Sequence, residues 1–474
     1  MGQEIEANGF TAEDFAAFQA RLQAEQALLE TWFADGAFAS GEPRQMGCEL
    51  EAWLIGPDWQ PAPLVGLLLR DIDDPLVVPE LATFNLEINT QPQTLAGAPF
   101  SRMDENLALT WRRGGEAAAG LGTRLGMIGI LPTVHADHLN LANLTPRRRY
   151  RALNDRILAL RGGRPFTLEI QGRDRLFVAH EDVMLEAAAT SFQIHLEVDA
   201  PRAARTYNAS KILSAPLVAV SANSPYLFGC DLWAETRIPL FEQSVSLGGA
   251  VQAERVSFGI RYCQDSLIEC FRANLERYPV LLPCLQDEPV GQLAHLRLHN
   301  GTIWRWNRPL IGFAADGRPR LRIEHRVCPA GPTLADCIAN AAFYIGAVES
   351  LAREAQAPEA EIPFDQAQAN FYRAARDGLA AEVLWRGGRR VGLAGLVLTD
   401  LLPRALAGLR ALGIDVAEAD HWLGIIAGRV QSGQTGAAWQ RAWVARHGPD
   451  MTALTGAYLE RQQSGRPVHE WTLR

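Results

Sequence analysis

Four glutamates, a histidine and an arginine occupy positions where a β-strand would turn them away from its apolar side. Four segments alternate apolar residues with charged or polar ones: 48–52, 84–89, 192–198 and 321–327. Successive side chains of a strand point to opposite faces, so each segment can pack one row on a core and present the other row outward. The outward rows contain Glu49, Glu51, Glu87, His195, Glu324 and Arg326. If these strands are neighbours, one face of the sheet is acidic and can bind metal ions.

The chemistry that such a face supports is metal-dependent phosphoryl transfer. Carboxylates brought close together repel one another and need a cation to stay ionised. Hard divalent ions prefer oxygen ligands, and Mg2+ usually keeps waters and phosphate oxygens among its ligands. Arg326 follows Glu324 by two residues, so both lie on one strand face, where a guanidinium can hold a transferring phosphoryl group. A simple salt bridge between Arg326 and Glu324 is the alternative.

Each segment taken alone would also suit an antiparallel strand with one solvated face. The set favours a functional site because its glutamates lack the cationic neighbours that surface pairing would use. Segment 295–299 is predicted to be a strand that presents two histidines and Arg297 to an anionic ligand, or else a structural strand. Segment 304–308 can supply an aromatic ring and an arginine fork, although tryptophans at this spacing also suit a core. The basic run 147–151 is predicted to be the solvated start of a helix, with a phosphate-binding patch as the alternative.

Composition limits the class of partner. The chain has 474 residues, a formal net charge of -9, 48% hydrophobic residues and 21% charged residues. An acidic chain argues against nucleic acid or an anionic membrane as partner and favours a small molecule or a protein. The N-terminal residues lack a basic segment followed by an apolar run, and charged residues or proline interrupt the apolar windows, so the cytoplasm is the expected location. Seven cysteines without a C-x-x-C spacing indicate neither a disulfide framework nor a structural zinc site, and the missing G-K-[ST] excludes a P-loop.

The wider pattern predicts an α+β fold with a helical C-terminal part. An amphipathic helix is predicted at 11–35, with Thr11 as N-cap and Asp14 completing a capping box. Further strands are predicted at 166–171 and 176–179. Helices are predicted at 99–121, 147–161, 201–221, 334–354, 365–385 and 393–412, with further helical segments to 463. Because strands and helices do not alternate regularly and no G-x-G-x-x-G follows a strand, a doubly wound parallel sheet is not expected.

The order and spacing of the motifs from about 46 to 385 resemble the glutamate-cysteine ligase family, carboxylate-amine ligases related in fold to glutamine synthetase. The E-x-E strand of that family is matched by 47–51, and its second strand by 86–90 with Glu80 shortly before it. The central family strand is matched by 193–197. The remaining matches are the Ser-Ala-Asn-Ser-Pro turn at 221–225, Thr302, Trp304 and Arg308, the late E-x-R strand with Glu324 and Arg326, and the lead into the next helix at 331–336.

This resemblance implies a curved, mainly antiparallel sheet that forms a funnel, with helices on its outer face. It implies a catalytic domain at 1–392 and leaves 393–474 as a helical extension that could be a lid, an oligomer contact or padding. It further implies two or three Mg2+ or Mn2+ ions. The implied metal ligands are Glu49, Glu51, Glu80, Glu87, His195 and Glu324. Arg326 would stabilise the phosphate, and Arg237 and Arg308 would lie near the substrate.

The implied reaction uses ATP to phosphorylate the γ-carboxylate of glutamate, after which an amine displaces phosphate and leaves a γ-glutamyl amide. Cysteine as the amine would place the chain in glutathione biosynthesis. Gln193 replaces a family histidine, and Arg305 and Trp306 stand where relatives have an aromatic residue and an acid, so the amine stays open. A ligase or kinase of the same fold acting on another acid or a guanidino compound is an alternative, as is a non-catalytic binding protein. The retained carboxylates favour catalysis.

Overall fold

An eight-stranded antiparallel sheet that curls into an open half-barrel organises the molecule, as the sequence predicted. The computed structural model describes residues 9–38, 43–248 and 254–473. The strand order along the sheet is β11-β12-β8-β1-β3-β2, and β4 and β5 pair with β1 off this path. The strands of this sheet are β1 (Gln45–Ile55), β2 (Val77–Pro79), β3 (Asn85–Asn89), β4 (Gln93–Thr94), β5 (Arg124–Gly126), β8 (Ser191–Val198), β11 (Asn307–Phe313) and β12 (Pro319–Pro329).

Within the residues that the structure describes, three two-stranded hairpins lie outside the main sheet. They are β6 (Phe166–Gln171) with β7 (Arg175–His180), β9 (Tyr226–Leu227) with β10 (Cys230–Asp231), and β13 (Glu382–Trp385) with β14 (Arg389–Gly392). The first hairpin confirms the strands predicted at 166–171 and 176–179.

The helices surround the sheet and form the C-terminal part. They are α1 (Ala12–Asp35), α2 (Val65–Ile72), α3 (Pro99–Gly120), α4 (Arg148–Leu160), α5 (Ala203–Ser221), α6 (Arg237–Ser244), α7 (Ile268–Arg277), α8 (Ala294–Gly301), α9 (Leu334–Ala352), α10 (Phe364–Asp377), α11 (Leu393–Leu396), α12 (Leu402–Ala411), α13 (Val416–Ser432), α14 (Gly436–His447) and α15 (Met451–Gln463). The predicted capping box of α1 is present, because Thr11 Oγ1 accepts from the Asp14 amide and the Asp14 carboxylate accepts from the Thr11 amide.

The outer face of the sheet packs on two helices that are buried nearly all round. The apolar residues of the four alternating segments are at most 2% exposed, among them Leu50, Ile194 and Ile323. Helix α5 packs on β12 and helix α9 on β8, and almost every residue of both helices is buried, which is typical of helices at the centre of a core. Helix α9 is long and apolar enough to cross a membrane, but 83% of that apolar stretch is buried inside the molecule.

Two predicted elements are wrong. Segment 295–299 is not a strand and instead forms most of helix α8. Its five residues are too few for the spacing of the apolar residues to distinguish a strand from a helix. The helix predicted at 365–385 ends at Asp377, where Gly378 has φ 59°, and the chain then enters strand β13. A glycine with positive φ commonly ends a helix, and this one does so.

The last helices are bonded to residues that are far away in sequence. Arg429 of α13 forms a buried ion pair with Asp336 at the start of α9, with Nη2 2.8 Å from Oδ1. The side-chain amide of Gln462 in α15 accepts from the Met127 amide at 3.0 Å and donates to the Pro332 carbonyl at 2.5 Å. The predicted division of the chain at 392 stays a prediction.

Helices α9 and α12 cross at a pair of glycines. A Cβ atom added to Gly408 would lie 1.9 Å from the carbonyl oxygen of Gly346, and one added to Gly346 would lie 2.3 Å from the carbonyl oxygen of Ala405. Backbone atoms cannot move aside as the end of a flexible side chain can. The absence of side chains at both positions therefore sets the distance between the two helices.

We expect Gly408→Ala to lower the free energy of unfolding by about 1–3 kcal/mol, because the added methyl group must push α12 away from α9. Denaturant unfolding followed by circular dichroism measures this. The control is Gly424→Ala in the middle of α13, where a new Cβ meets nothing within 4 Å. That variant should be neutral or more stable, since alanine favours a helix over glycine. Equal stability of the two variants would contradict the close crossing.

Candidate active site

One cluster of metal-ligating side chains lies where strands β1, β8 and β12 run side by side. His195 on β8 stands opposite Glu324 on β12, and β1 pairs with the other edge of β8. Ligand atoms of Glu49, His195 and Glu324 all lie within 4.8 Å of one another. His195 Nε2 is 3.0 Å from Glu49 Oε1 and 3.9 Å from Glu324 Oε1. The sequence prediction that these distant segments form neighbouring strands is confirmed by this pairing.

A second cluster is composed of carboxylates alone. Glu51 of β1 stands directly opposite Glu87 of β3, and Glu80 follows strand β2. Carboxylate oxygens of Glu51, Glu80 and Glu87 again lie within 4.8 Å of one another. Strand alternation places Glu51 on the same face as Glu49, so the two clusters are adjacent along β1.

Two arginines neutralise the first cluster. Arg308 on β11 holds the Glu324 carboxylate with a fork of two hydrogen bonds of 2.7 Å each, and Arg326 Nη1 is 3.2 Å from the same carboxylate. Burial alone would raise the pKa of Glu324, but Arg308, Arg326 and His195 hold that pKa well below its ordinary value. His195 likewise lowers the pKa of Glu49 against the effect of burial. The two carboxylates of this cluster stay ionised through the protein's own charges.

In the second cluster, the pKa values of all three carboxyl groups are raised. Burial raises the pKa of Glu87 to about 8, and the negative charges of Glu49 and Glu51 act in the same direction. Burial also raises the pKa of Glu80 well above its ordinary value, with Glu87 and Glu51 adding to the shift. The pKa of Glu51 rises through burial too, although Arg326 opposes it. Here an external cation would most relieve the repulsion.

Gln193 connects the two clusters. Its side-chain amide donates to Glu51 Oε1 at 2.9 Å, and its side-chain oxygen accepts a hydrogen bond from Arg326. Glu51 also accepts from the amide and hydroxyl of Ser191 at 2.6 and 2.9 Å. An amide can donate and accept at once. Gln193 thus orients a carboxylate of one cluster and an arginine of the other.

Arg237, predicted from the resemblance to contact substrate, is engaged elsewhere in the protein. It is 2% exposed and is absent from the lining of the cavity. Its guanidinium donates to Glu235 and to the carbonyl oxygens of Arg326 and Val327. The geometry shows Arg237 holding the backbone of β12 at Arg326, and its contact with substrate stays a prediction.

The two clusters form the floor of a cavity of about 480 Å3. Arg308 and Arg326 line it as well. Apolar residues also contribute to the lining, among them Leu153, Val183, Phe241, Val245, Phe271 and Trp304. A lining that combines carboxylates with apolar side chains suits a ligand with a charged part and a flat or apolar part.

Several cavity residues were not found from the sequence. Glu186, in a short 3-10 helix before β8, lines the cavity, and burial with the charge of Glu51 raises its pKa to about 8. No periodic pattern marks a single residue in such a turn. Arg149 also lines the cavity and is 8% exposed, so the solvated reading of the basic run is wrong at that residue. Arg322 lines the cavity too, as does Arg297, which the sequence analysis had already assigned to an anionic ligand.

The histidines of segment 295–299 and the tryptophans of segment 304–308 differ in whether they line the cavity. His295 is 2.6 Å from Glu25 of α1, and His299 is 3.2 Å from the Asn274 carbonyl, so both serve packing between helices. Trp306 is fully buried and donates to Glu242, whereas Trp304 lines the cavity.

Comparison with known proteins gives a consistent result. The sequence model of glutamate-cysteine ligase family 2 matches residues 45–457, which include both clusters and extend past the predicted boundary at 392. No curated protein sequence matches the chain. The fold is similar to that of a glutamate–cysteine ligase from Francisella tularensis solved in complex with AMP, with 12% identity, a TM-score of 0.55, and coverage of 92% of this chain and 91% of that chain. A bifunctional glutathione synthetase from Pasteurella multocida aligns at 10% identity and a TM-score of 0.49, over 92% of this chain and 55% of that chain.

We expect Glu87→Gln to raise the free energy of unfolding in the absence of divalent ions by on the order of 2 kcal/mol at pH 8.5 or so. A carboxyl whose folded pKa is raised favours the folded state below its unfolded pKa, and this contribution is lost as the pH rises through about 8. The gain should therefore shrink toward pH 5 or so. Chemical unfolding with EDTA across this pH range measures it, and exposed Glu116→Gln is the control. A Glu87→Gln variant less stable than wild type at high pH would contradict the repulsion.

Proposed function

This chain belongs to the glutamate-cysteine ligase family 2 and is an ATP-dependent ligase that forms carbon–nitrogen bonds, and we propose that it joins the γ-carboxylate of glutamate to an amine, with cysteine as the first candidate. The observation that carries this proposal is the pair of adjacent ligand clusters with Arg326 beside them. Cysteine as acceptor would make the product a precursor of glutathione, and the cytoplasm is the location that such a reaction suits.

The donor groups fit divalent ions such as Mg2+ or Mn2+. The cluster of Glu51, Glu80 and Glu87 offers hard oxygen donors whose pKa values are raised by burial and by the neighbouring carboxylates. In the other cluster, His195 Nδ1 is buried without a hydrogen-bond partner in the described residues. When bound, the ions would neutralise the phosphate oxygens of ATP and of the acyl phosphate.

The side chains then have separable tasks. Arg326 is buried beside Glu324, Glu51 and Gln193, so its charge is fixed before a phosphoryl group arrives and needs no reorganisation. Arg308 holds Glu324 in a single orientation. The apolar side chains of the cavity lining would limit access of water, which would otherwise hydrolyse an acyl phosphate before the amine attacks. Positioning and charge neutralisation are what phosphoryl transfer requires.

Two further arginines support amino acids as substrates. Arg297 and Arg322 both line the cavity, and neither forms an ion pair with any residue that the structure describes. Arg322 Nε is buried without a hydrogen-bond partner, and burial together with the charge of Arg322 lowers the pKa of Arg297. A substrate carboxylate would satisfy both guanidinium groups.

We expect phosphate release from ATP and Mg2+ to require glutamate and to be stimulated by a small set of amines that carry a carboxylate. A screen of acids against amines, with the ligated product identified by mass spectrometry, measures this. Turnover with glutamate and an amine other than cysteine would replace cysteine as the proposed acceptor. Turnover only with another acid or a guanidino compound would overturn glutamate, and the absence of any turnover would favour a binding protein.

We expect Glu49→Gln and Glu324→Gln each to lower kcat by about 10²-fold or more, because each removes a charge next to the transferring group. Unchanged circular dichroism and melting temperature would show that the fold is intact. The control is Glu169→Gln on β6, an exposed strand glutamate outside the cavity lining. Wild-type rates in either site variant would contradict the assignment.

We expect Mn2+ affinity, measured by electron paramagnetic resonance, to increase about tenfold for each unit by which the pH is raised toward 8. An ion must displace the proton from Glu87, and that proton is lost as the pH approaches the pKa of about 8. Glu87→Gln should bind Mn2+ more weakly and lose this pH dependence. Affinity that does not change between pH 6 and 8 would place the ion elsewhere.

A further inference from the structure

One partly buried carboxylate of the cavity belongs to neither ligand cluster. Glu186 lies in the short 3-10 helix Val183–Ala188 and is the one residue of that helix that is not fully buried. Its side chain lines the cavity, whereas the other residues of the helix are at most 4% exposed and pack into the core. Nothing in the ligase chemistry derived above uses this side chain.

The backbone on both sides of Glu186 is held in place. Asp182 caps the 3-10 helix by accepting a hydrogen bond of 2.9 Å from the Met184 amide. After the helix, the amide and hydroxyl of Ser191 bind Glu51 of the second cluster at 2.6 and 2.9 Å. Glu186 is therefore anchored beside the floor of the cavity, close enough for the charges of Glu51 and Arg326 to act on its pKa.

The Glu186 carboxylate has no hydrogen-bond or ion-pair partner among the residues that the structure describes. A carboxylate that is partly buried without a partner is stabilised by a cation. Glu186 lies outside both groups of three metal-ligating residues, and a lone carboxylate does not supply the several oxygen ligands that a divalent ion takes. An ammonium group, which has one positive charge and donates hydrogen bonds, fits this carboxylate better.

The proposed reaction needs a carboxylate of this kind. At neutral pH an amine enters the cavity mostly as an ammonium, which has no lone pair with which to attack an acyl phosphate. A carboxylate within hydrogen-bond reach can hold the ammonium and accept one proton from it. Among the described residues, the other glutamates of the lining are the five in the ligand clusters and Glu288, which is exposed to solvent.

On the basis of the proposed function, we propose that Glu186 binds the ammonium group of the acceptor and takes up one of its protons. The neutral nitrogen then attacks the acyl carbon, so that a carbon–nitrogen bond forms. The bond between the acyl carbon and the phosphate oxygen breaks, and its electron pair leaves with phosphate. The nitrogen loses a second proton to this phosphate. The products are an amide, hydrogen phosphate and protonated Glu186, which returns its proton to solvent.

Hydroxylamine separates this step from the formation of the acyl phosphate. It is mostly uncharged at neutral pH, so it can attack an acyl phosphate without first binding as a cation or losing a proton. We expect Glu186→Gln to lower kcat/KM for cysteine, or for the amine that replaces it, by about 10²-fold. Formation of γ-glutamyl hydroxamate from hydroxylamine should stay within about threefold of wild type. Glu186→Asp keeps the charge and should retain part of the activity with the amine.

The control is Glu181→Gln, an exposed glutamate just before the same 3-10 helix that does not line the cavity. This variant should form both products at wild-type rates. Equal loss of amide and hydroxamate in Glu186→Gln would indicate a metal ligand or a structural role and would overturn the inference, as would undiminished amide formation. A wild-type protein that forms neither product would overturn the proposed function itself, and this inference with it.

Discussion

Repulsion between buried carboxylates is the constraint on which the architecture of this site depends. Like charges at short range in a medium of low dielectric constant cannot all remain ionised without compensation. The chain meets this requirement differently in its two clusters. Arg308 and Arg326 compensate Glu324, whereas burial and neighbouring carboxylates raise the pKa values of Glu51, Glu80 and Glu87. The second cluster is therefore where a bound cation gains the most.

The curved sheet makes this arrangement possible. Its outer face packs apolar residues against α5 and α9, and its inner face collects the charged row of each strand. Gln193 and Arg237 then fix side-chain orientations and a backbone position that strand alternation alone does not determine. Gln193 joins Glu51 to Arg326, and Arg237 holds the backbone of β12 from behind. An ATP-dependent ligase gains from such rigidity because its charges are in place before the substrates bind.

Much of the fold and of the floor of the site could be predicted from the sequence because both follow from a period of two residues. Glu49, Glu51, Glu87, His195 and Glu324 were found in this way, and Glu80 only through family resemblance. Glu186 and Arg149 reach the cavity from a 3-10 turn and a helix start, where no periodicity marks them. Segment 295–299 was misassigned because five residues of alternating hydrophobicity also fit a short helix.

The bonds that the last helices form with distant parts of the chain affect how chimeras of this enzyme and its relatives could be built. Gln462 and Arg429 satisfy backbone and carboxylate groups at Met127, Pro332 and Asp336, which are far away in sequence. A chimera that takes its final helices from a distant homologue would leave those partners buried and unsatisfied, at about 1–3 kcal/mol each. Productive crossovers would have to carry the matching loops along with the helices.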